Sequence, residues 1–342
     1  QKHTGESCGV SMSLVRRVAM TLVSSLLTLL CLPSFSRLGF ALRRRLFAWR
    51  VPPPDLASLR GAVVLVTGGN SGIGKEVCRH ALLSGAQVHM LCRDPQRGQQ
   101  AFQELLEEAG CREEEERLVL HQVDVGLQQS IREFVARFQE RYGPMVDVLV
   151  NNASTFKQRR QETIEGIETV FATNVLGTYL LTTLLLPALE ASKRGGRVIT
   201  VSSGGQLLCK MPAHDLQLRN QKFSSLTAYG FTKRAQVLLT ERWAKEYPGV
   251  SFFSMHPGWV DTGLVQRGMP GFRRKLAQVL RSAYEGADTI LFLASTESAK
   301  VLQSSGAFYF DRKPRRKHYW IARNNEKDAQ MLWEECKALT DI

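Results

Sequence analysis

The chain has 342 residues, 44% hydrophobic and 23% charged, with a net charge of +13. That mixture excludes a disordered or fibrous protein and supplies a large core for one or two domains. The seven cysteines, Cys8, Cys31, Cys78, Cys92, Cys111, Cys209 and Cys336, are scattered and odd in number, without C-x-x-C. They imply neither a disulfide framework nor a metal site, and they fit a reducing compartment. No metal is expected.

The sequence begins at Gln1 rather than Met, and Met12 offers a natural start. Val18–Leu32 is an uncharged apolar run behind Arg16-Arg17 and ahead of Arg37 and Arg43–Arg45. It is shorter than the ~20 residues of a relaxed membrane span. Signal anchor, cleaved signal peptide and interfacial helix compete, and no A-x-A cleavage site stands out. The expectation is a membrane anchor with the rest of the chain facing the cytosol, since more basic residues follow the run than precede it. A soluble cytoplasmic protein is the alternative.

Residues 1–50 form this basic and apolar segment. Residues 51–60 read as a linker, because Pro52-Pro53-Pro54 exclude helix. From 61 to 310 short apolar runs alternate with helical patterns. The runs are Ala62–Val66, Gln87–Leu91, Leu118–Val123, Val146–Val150, Arg197–Val201, Val250–Met255 and Ala307–Phe310. Helical periodicity marks Gly74–Leu83, Gln96–Glu108, Gln128–Tyr142, Ile164–Leu189 and Thr227–Tyr247. The alternation predicts an α/β fold, one domain around a doubly wound parallel sheet. Residues 311–342 form an extension, basic at Arg312, Lys313, Arg315, Arg316 and Lys317, then amphipathic over Ala329–Leu339. Such clusters suit an anionic surface or a solvated tail. Neither aromatic–basic interleaving nor zinc spacing accompanies them, so no nucleic-acid partner is expected.

Two stretches carry chemistry. After the first predicted strand comes Thr67-Gly68-Gly69-Asn70-Ser71-Gly72-Ile73-Gly74. Glycines at 68, 72 and 74 let backbone approach a pyrophosphate, and the following helix aims free N–H groups at it. At the end of the second strand, Cys92 and Arg93 occupy the place where NAD enzymes hold a carboxylate on the ribose. Arg93 suits a 2′-phosphate, so NADP(H) is favoured, with NAD(H) the alternative through Asp94. The second stretch is Leu226–Gln236, where Tyr229 and Lys233 share a helical face at i and i+4. A cation beside a phenol lowers its pKa and prepares it for proton exchange with a carbonyl or alcohol oxygen.

In order and spacing these motifs resemble the short-chain dehydrogenase/reductase family, and within it the retinol-dehydrogenase-like branch. Further motifs carry the likeness over Gly61–Phe310: Val123-Asp124-Val125, Asn151-Asn152-Ala153, Asn174, Ser202-Ser203, and Pro257-Gly258 with Thr262. The resemblance implies a Rossmann-type domain and an NAD(P)-dependent oxidoreductase interconverting an alcohol and a carbonyl. It implies that Tyr229 transfers the proton and that Lys233 lowers its pKa and binds the nicotinamide ribose. Ser203 would hold the substrate oxygen, with Ser202 its less suited neighbour. Asn174 would orient a water linking Lys233 to solvent. Gly68, Asn70, Ser71, Gly72, Ile73 and Gly74 would cradle the phosphates. Asp124 would meet the adenine, Asn151 and Ala153 the adenosine side, and Pro257, Gly258 and Thr262 the nicotinamide.

Each residue also has a plainer reading: a turn or cap for Ser203 and Asp124, a backbone partner for Asn174, a structural role for His256. Ser154 stands where the family has glycine; a positive φ there would cost about 1 kcal/mol. The expected partner is a small lipophilic molecule: a retinoid, steroid or lipid aldehyde. The apolar Leu207-Leu208 and Met255–Val265 flank the expected pocket. A cofactor-bound scaffold or redox sensor with little turnover is the competing reading. The oligomeric state is not legible in the sequence.

Overall fold

The computed structural model describes residues 34–47 and 54–342. The apolar run Val18–Leu32 lies outside the described residues. β-Branched and aliphatic residues build strands β1 (Val63–Thr67), β2 (Gln87–Cys92), β3 (Leu118–Gln122) and β4 (Val148–Asn151), buried on both faces except in β3, a partly exposed edge strand. Strands β5 (Arg197–Val201), β6 (Ser251–His256) and β7 (Phe308–Phe310) complete the parallel set, and β8 (Lys313–Arg315) closes the edge antiparallel to β7. The order is β3-β2-β1-β4-β5-β6-β7-β8. It reverses between β1 and β4, and that reversal opens a crevice at the carboxyl ends of the strands.

One face of the sheet carries α2 (Gly72–Leu83), α3 (Pro95–Ala109) and α9 (Ala283–Ser295), whose Val77, Phe102 and Ile290 join the strand residues in one core layer. The other face carries α4 (Gln128–Tyr142), α5 (Thr169–Glu190) and α6 (Ser225–Glu246), with Phe134, Leu180 and Phe231 in the second layer. Helix α5 is, among the described residues, the one helix long and apolar enough to cross a membrane, but 83% of its apolar window is buried in the domain. It is a core helix.

Helix α5 starts later than its periodicity predicts. Ile164 is 91% exposed, in a turn where Gly166 takes φ +74° and Glu162 bridges Glu168. The Glu168 carboxylate then caps the helix, accepting from the N–H groups of Val170 and Phe171. Over Ala172–Leu176 the helix widens to a π turn, a form common at functional sites.

Residues 34–47 and the C-terminal helix pack onto this domain. Helix α1 (Arg37–Phe47) and Ser34–Ser36 ahead of it are seated by Arg281, which donates to the carbonyls of Ser34, Phe35 and Ser36. Arg281 is 1% exposed and holds Asp311 bidentately at 2.7 and 3.1 Å; Arg43 pairs with the same carboxylate. At the other end α10 (Glu326–Thr340) buries Leu332 and Cys336 and sets Trp333 against Tyr179 and Trp243.

Candidate active site

The crevice is a cleft of about 870 Å³. Its floor begins at the turn after β1. Gly68 and Gly72 take φ of +67° and +53°, a region L side chains rarely enter. A Cβ on Gly74 would lie 2.4 Å from the carbonyl oxygen of Gly68, so the turn and the first coil of α2 touch without side chains between them. Ser71 caps α2 without a side-chain bond, which leaves first-turn N–H groups free to meet an anion. These features fit the pyrophosphate of a dinucleotide. Asn152 fixes the turn from the neighbouring strand: its Nδ2 donates to the carbonyl of Thr67 at 2.9 Å, while Thr67 Oγ1 accepts from the N–H groups of Asn152 and Ala153.

At the far end α6 presents Tyr229 and Lys233. Lys233 is 1% exposed, and its Nζ donates to the carbonyl of Val201 at 2.8 Å and to Gln236 Oε1 at 3.1 Å. It lies 5.5 Å from the centre of the Tyr229 ring. Burial depresses the amine to about 7. Tyr229 faces the cleft and keeps some exposure there, yet the walls close round it and burial pushes its phenol up to about 12. The hydrogen bond it shares with the Ser154 side chain opposes that rise. Ser203 lines the cleft and its Oγ accepts from Gly205 N–H at 3.3 Å. Ser202 instead donates to the Lys233 carbonyl at 2.8 Å, which ties β5 to α6. Beyond Tyr229 the wall is mainly apolar, with Lys157, Gln158 and Arg267 interspersed among Phe156, Leu226, Trp259, Leu264, Met269 and Phe272. Leu264, Met269 and Phe272 lie on α7 (Gly263–Gly268), α8 (Pro270–Leu276) and the joint between them, a cover clamped by Arg273 on Asp261 at 2.8 and 3.0 Å.

The sequence matches the short chain dehydrogenase profile over residues 62–270. It is 43% identical over 279 residues to Dehydrogenase/reductase SDR family member 12 of Bos taurus, covering 81% of this chain and 86% of that one. It is 35% identical over 306 residues to Retinol dehydrogenase 12 of Homo sapiens, covering 86% and 92%. A solved uncharacterized protein from Mycobacterium paratuberculosis superposes with a TM-score of 0.65 at 26% identity, over 84% of this chain and 96% of that one.

The chain belongs to the short-chain dehydrogenase/reductase family. It is therefore an NAD(P)-dependent oxidoreductase, with the Rossmann-type sheet that the alternating pattern predicts. Most residues that the family motifs single out line one cleft: Gly68, Asn70, Ser71, Gly72, Ile73, Arg93, Asp124, Ala153, Ser203, Tyr229, Lys233, Pro257, Gly258 and Thr262. Three do not. Gly74 packs beneath the turn against Gly68 and Asn152. Asn151 points into the core, donating to Thr182 Oγ1 at 2.9 Å, and Asn152 faces the cleft in its place. Alternation along a strand accounts for the exchange, since successive side chains leave opposite faces. Asn174 sits behind the wall: its Oδ1 accepts from Ser154 Oγ and Thr155 N–H, and its Nδ2 donates to Thr155 O and Thr232 Oγ1.

One further expectation, strain at Ser154, is corrected. The desolvated Lys233 amine turns to the two carbonyl oxygens nearest it, those of Val201 and the Gln236 side chain. The main-chain oxygen of Asn174 accepts from Gln236 Nε2 at 2.7 Å and Thr178 Oγ1 at 3.0 Å. Ser154 has no positive φ and so carries no strain; its hydroxyl is used. Leu207 and Leu208 flank the cleft, between the lining residues Gly205 and Cys209, and the Leu207 carbonyl accepts from Tyr319 N–H. Sequence reasoning also missed Arg97, in the first turn of α3 at the adenosine end. Only its spacing after Arg93, one helical turn on, hinted at it. Asp94 is occupied as the cap of α3, accepting from Arg97 N–H at 3.1 Å.

Proposed function

We propose that the protein interconverts an alcohol and a carbonyl on a lipophilic molecule, a retinoid, steroid or lipid aldehyde, with NADP(H) preferred to NAD(H). The observation that carries this reading is one cleft joining the glycine turn, Tyr229, Lys233 and an apolar wall. The nicotinamide, when bound, supplies or takes the hydride. Tyr229 gives its proton to the carbonyl oxygen, and the Ser203 hydroxyl donates a second hydrogen bond to it. A phenol near 12 keeps its proton at neutral pH, so Tyr229 holds the proton that carbonyl reduction consumes. Lys233 orients the nicotinamide ribose. Asp124 meets the adenine, and Thr262, the cap of α7, meets the carboxamide.

Cofactor preference rests on charge. Arg93 and Arg97 stand at the adenosine end, and the carboxylate of Asp94 is engaged by its own helix. Two guanidinium groups suit a 2′-phosphate. The lipophilic substrate is supported by the apolar wall and by relatives named for retinol. Membrane association is supported by α1, where Leu38 (65% exposed) and Leu42 (50%) share the surface with Arg44 and Arg45. An exposed apolar and basic helix suits an anionic interface, with the catalytic domain on the cytosolic side.

Cofactor titration and a chain-length series test this reading. NADPH is expected to bind at least tenfold tighter than NADH, and Arg93→Ala to remove most of that difference. kcat/KM is expected to rise steadily from propanal to decanal. Equal affinity for the two cofactors refutes the preference; a flat series refutes the lipophilic pocket.

A further inference from the structure

The main-chain oxygen of Asn174 lies in the π turn of α5 and accepts from two side chains, Thr178 Oγ1 at 3.0 Å and Gln236 Nε2 at 2.7 Å. A carbonyl oxygen has two lone pairs, so protein donors satisfy it fully. Gln236 is completely buried one helical turn beyond Lys233. Its other end, Oε1, accepts from Lys233 Nζ at 3.1 Å. One amide thus spans from the backbone of α5 to the amine, and both of its polar atoms in the circuit are paired. In the arrangement that family resemblance leads one to expect, a water stands between these groups. A water turns freely and passes protons on; a buried amide holds one direction and passes none at neutral pH.

We propose that Gln236 is the positioning residue of the site, a fixed amide that stands in for the relay water and holds Lys233 against the Val201 carbonyl. This rests on the reading of Tyr229 and Lys233 as the reacting pair. Gln236 acts through Lys233 and touches neither substrate nor cofactor. With the Asn174 oxygen closed off, proton exchange of the amine runs through the cleft and not through α5.

The environment of the amine is simple. Burial is the one influence that shifts it, with no charged neighbour acting on it. The titratable groups of the same cleft wall are Tyr229 on its own helix, Cys209, His256, and Lys157 and Arg267 on the covering segments. Burial keeps Cys209 a thiol and His256 a neutral imidazole. Arg93, Asp94, Arg97 and Asp124 stand at the adenosine end. Oε1 and the Val201 carbonyl are therefore the two acceptors that support the charged form.

The test is an NMR titration of the full chain labelled with 13C at lysine Cε, the Lys233 signal being the one lost in Lys233→Met. Gln236→Met keeps the bulk and removes the acceptor; Gln236→Glu puts a carboxylate beside the amine. The Lys233 midpoint is expected to fall in Gln236→Met and to rise by at least one pH unit in Gln236→Glu. kcat for decanal reduction with NADPH is expected to drop about tenfold in Gln236→Met, with KM little changed. Unmoved midpoints in both folded variants overturn the proposal, and if Gln236→Met fails to fold, an unmoved Gln236→Glu does so alone. The titration needs no turnover, so it judges the Gln236 contact separately from the reading it rests on. Should Lys233→Met keep the wild-type rate, the reacting pair is refuted and the role of Gln236 in the reaction falls with it.

Discussion

Lys233 is the residue where burial and function pull hardest against each other. Its folded value of about 7 lies below the ordinary lysine value, so the unfolded chain binds the proton more tightly. Stability from this group is fully present above the unfolded value and is lost as pH falls through about 7. Lys233→Met is therefore expected to be more stable than the wild type at pH 6. That advantage should shrink by about 1.4 kcal/mol per pH unit between about pH 7 and 10. Denaturant unfolding across that range checks it; a constant difference contradicts a depressed amine. At this scale the sequence was only half legible. The i and i+4 spacing of Tyr229 and Lys233 put both on one wall. It could not reveal that Gln236 and the Val201 carbonyl would claim the amine, because Val201 is 32 positions away in the chain. Nor could it show that Ser154, read as a misfit for glycine, would bond Asn174.

The elements were legible where one short pattern decides them. Buried runs became β1 to β7, and the turn after β1 has the backbone its glycines predict. Elements that depend on partners were not. Lys313-Pro314-Arg315 reads as a solvated basic tail, yet it pairs with β7, an edge position where lysine and proline are tolerated. The seat of α1 likewise depends on a pairing no local pattern announces, that of Arg281 with Asp311, 30 residues on. Asp311 is 7% exposed in its side chain and answers both Arg281 and Arg43. Asp311→Ala leaves buried guanidinium charge without its carboxylate, a change that costs about 3–5 kcal/mol. The expected result is that loss in urea unfolding, with α1 the first segment to gain amide exchange. Asp311→Ala with unaltered stability contradicts the seat described here.

Over the whole molecule, strand order creates the crevice and the segment ahead of α1 packs against its wall. Phe35, from the segment ahead of α1, packs 4.5 Å from His256, which lines the cleft and accepts from Gly204 N–H beside Ser203. The proposed membrane-facing segment and the proposed reaction centre are thus joined by a short stack of side chains. What unites the account is that hydride and proton are delivered within one cleft, the proton by Tyr229. Single-turnover transfer from NADPH deuterated at the transferable position to decanal measures this directly. The wild type is expected to yield alcohol carrying deuterium on the former carbonyl carbon, and Tyr229→Phe to transfer it at least a hundredfold more slowly with NADPH affinity retained. Deuterium transfer at an undiminished rate in Tyr229→Phe would contradict the account.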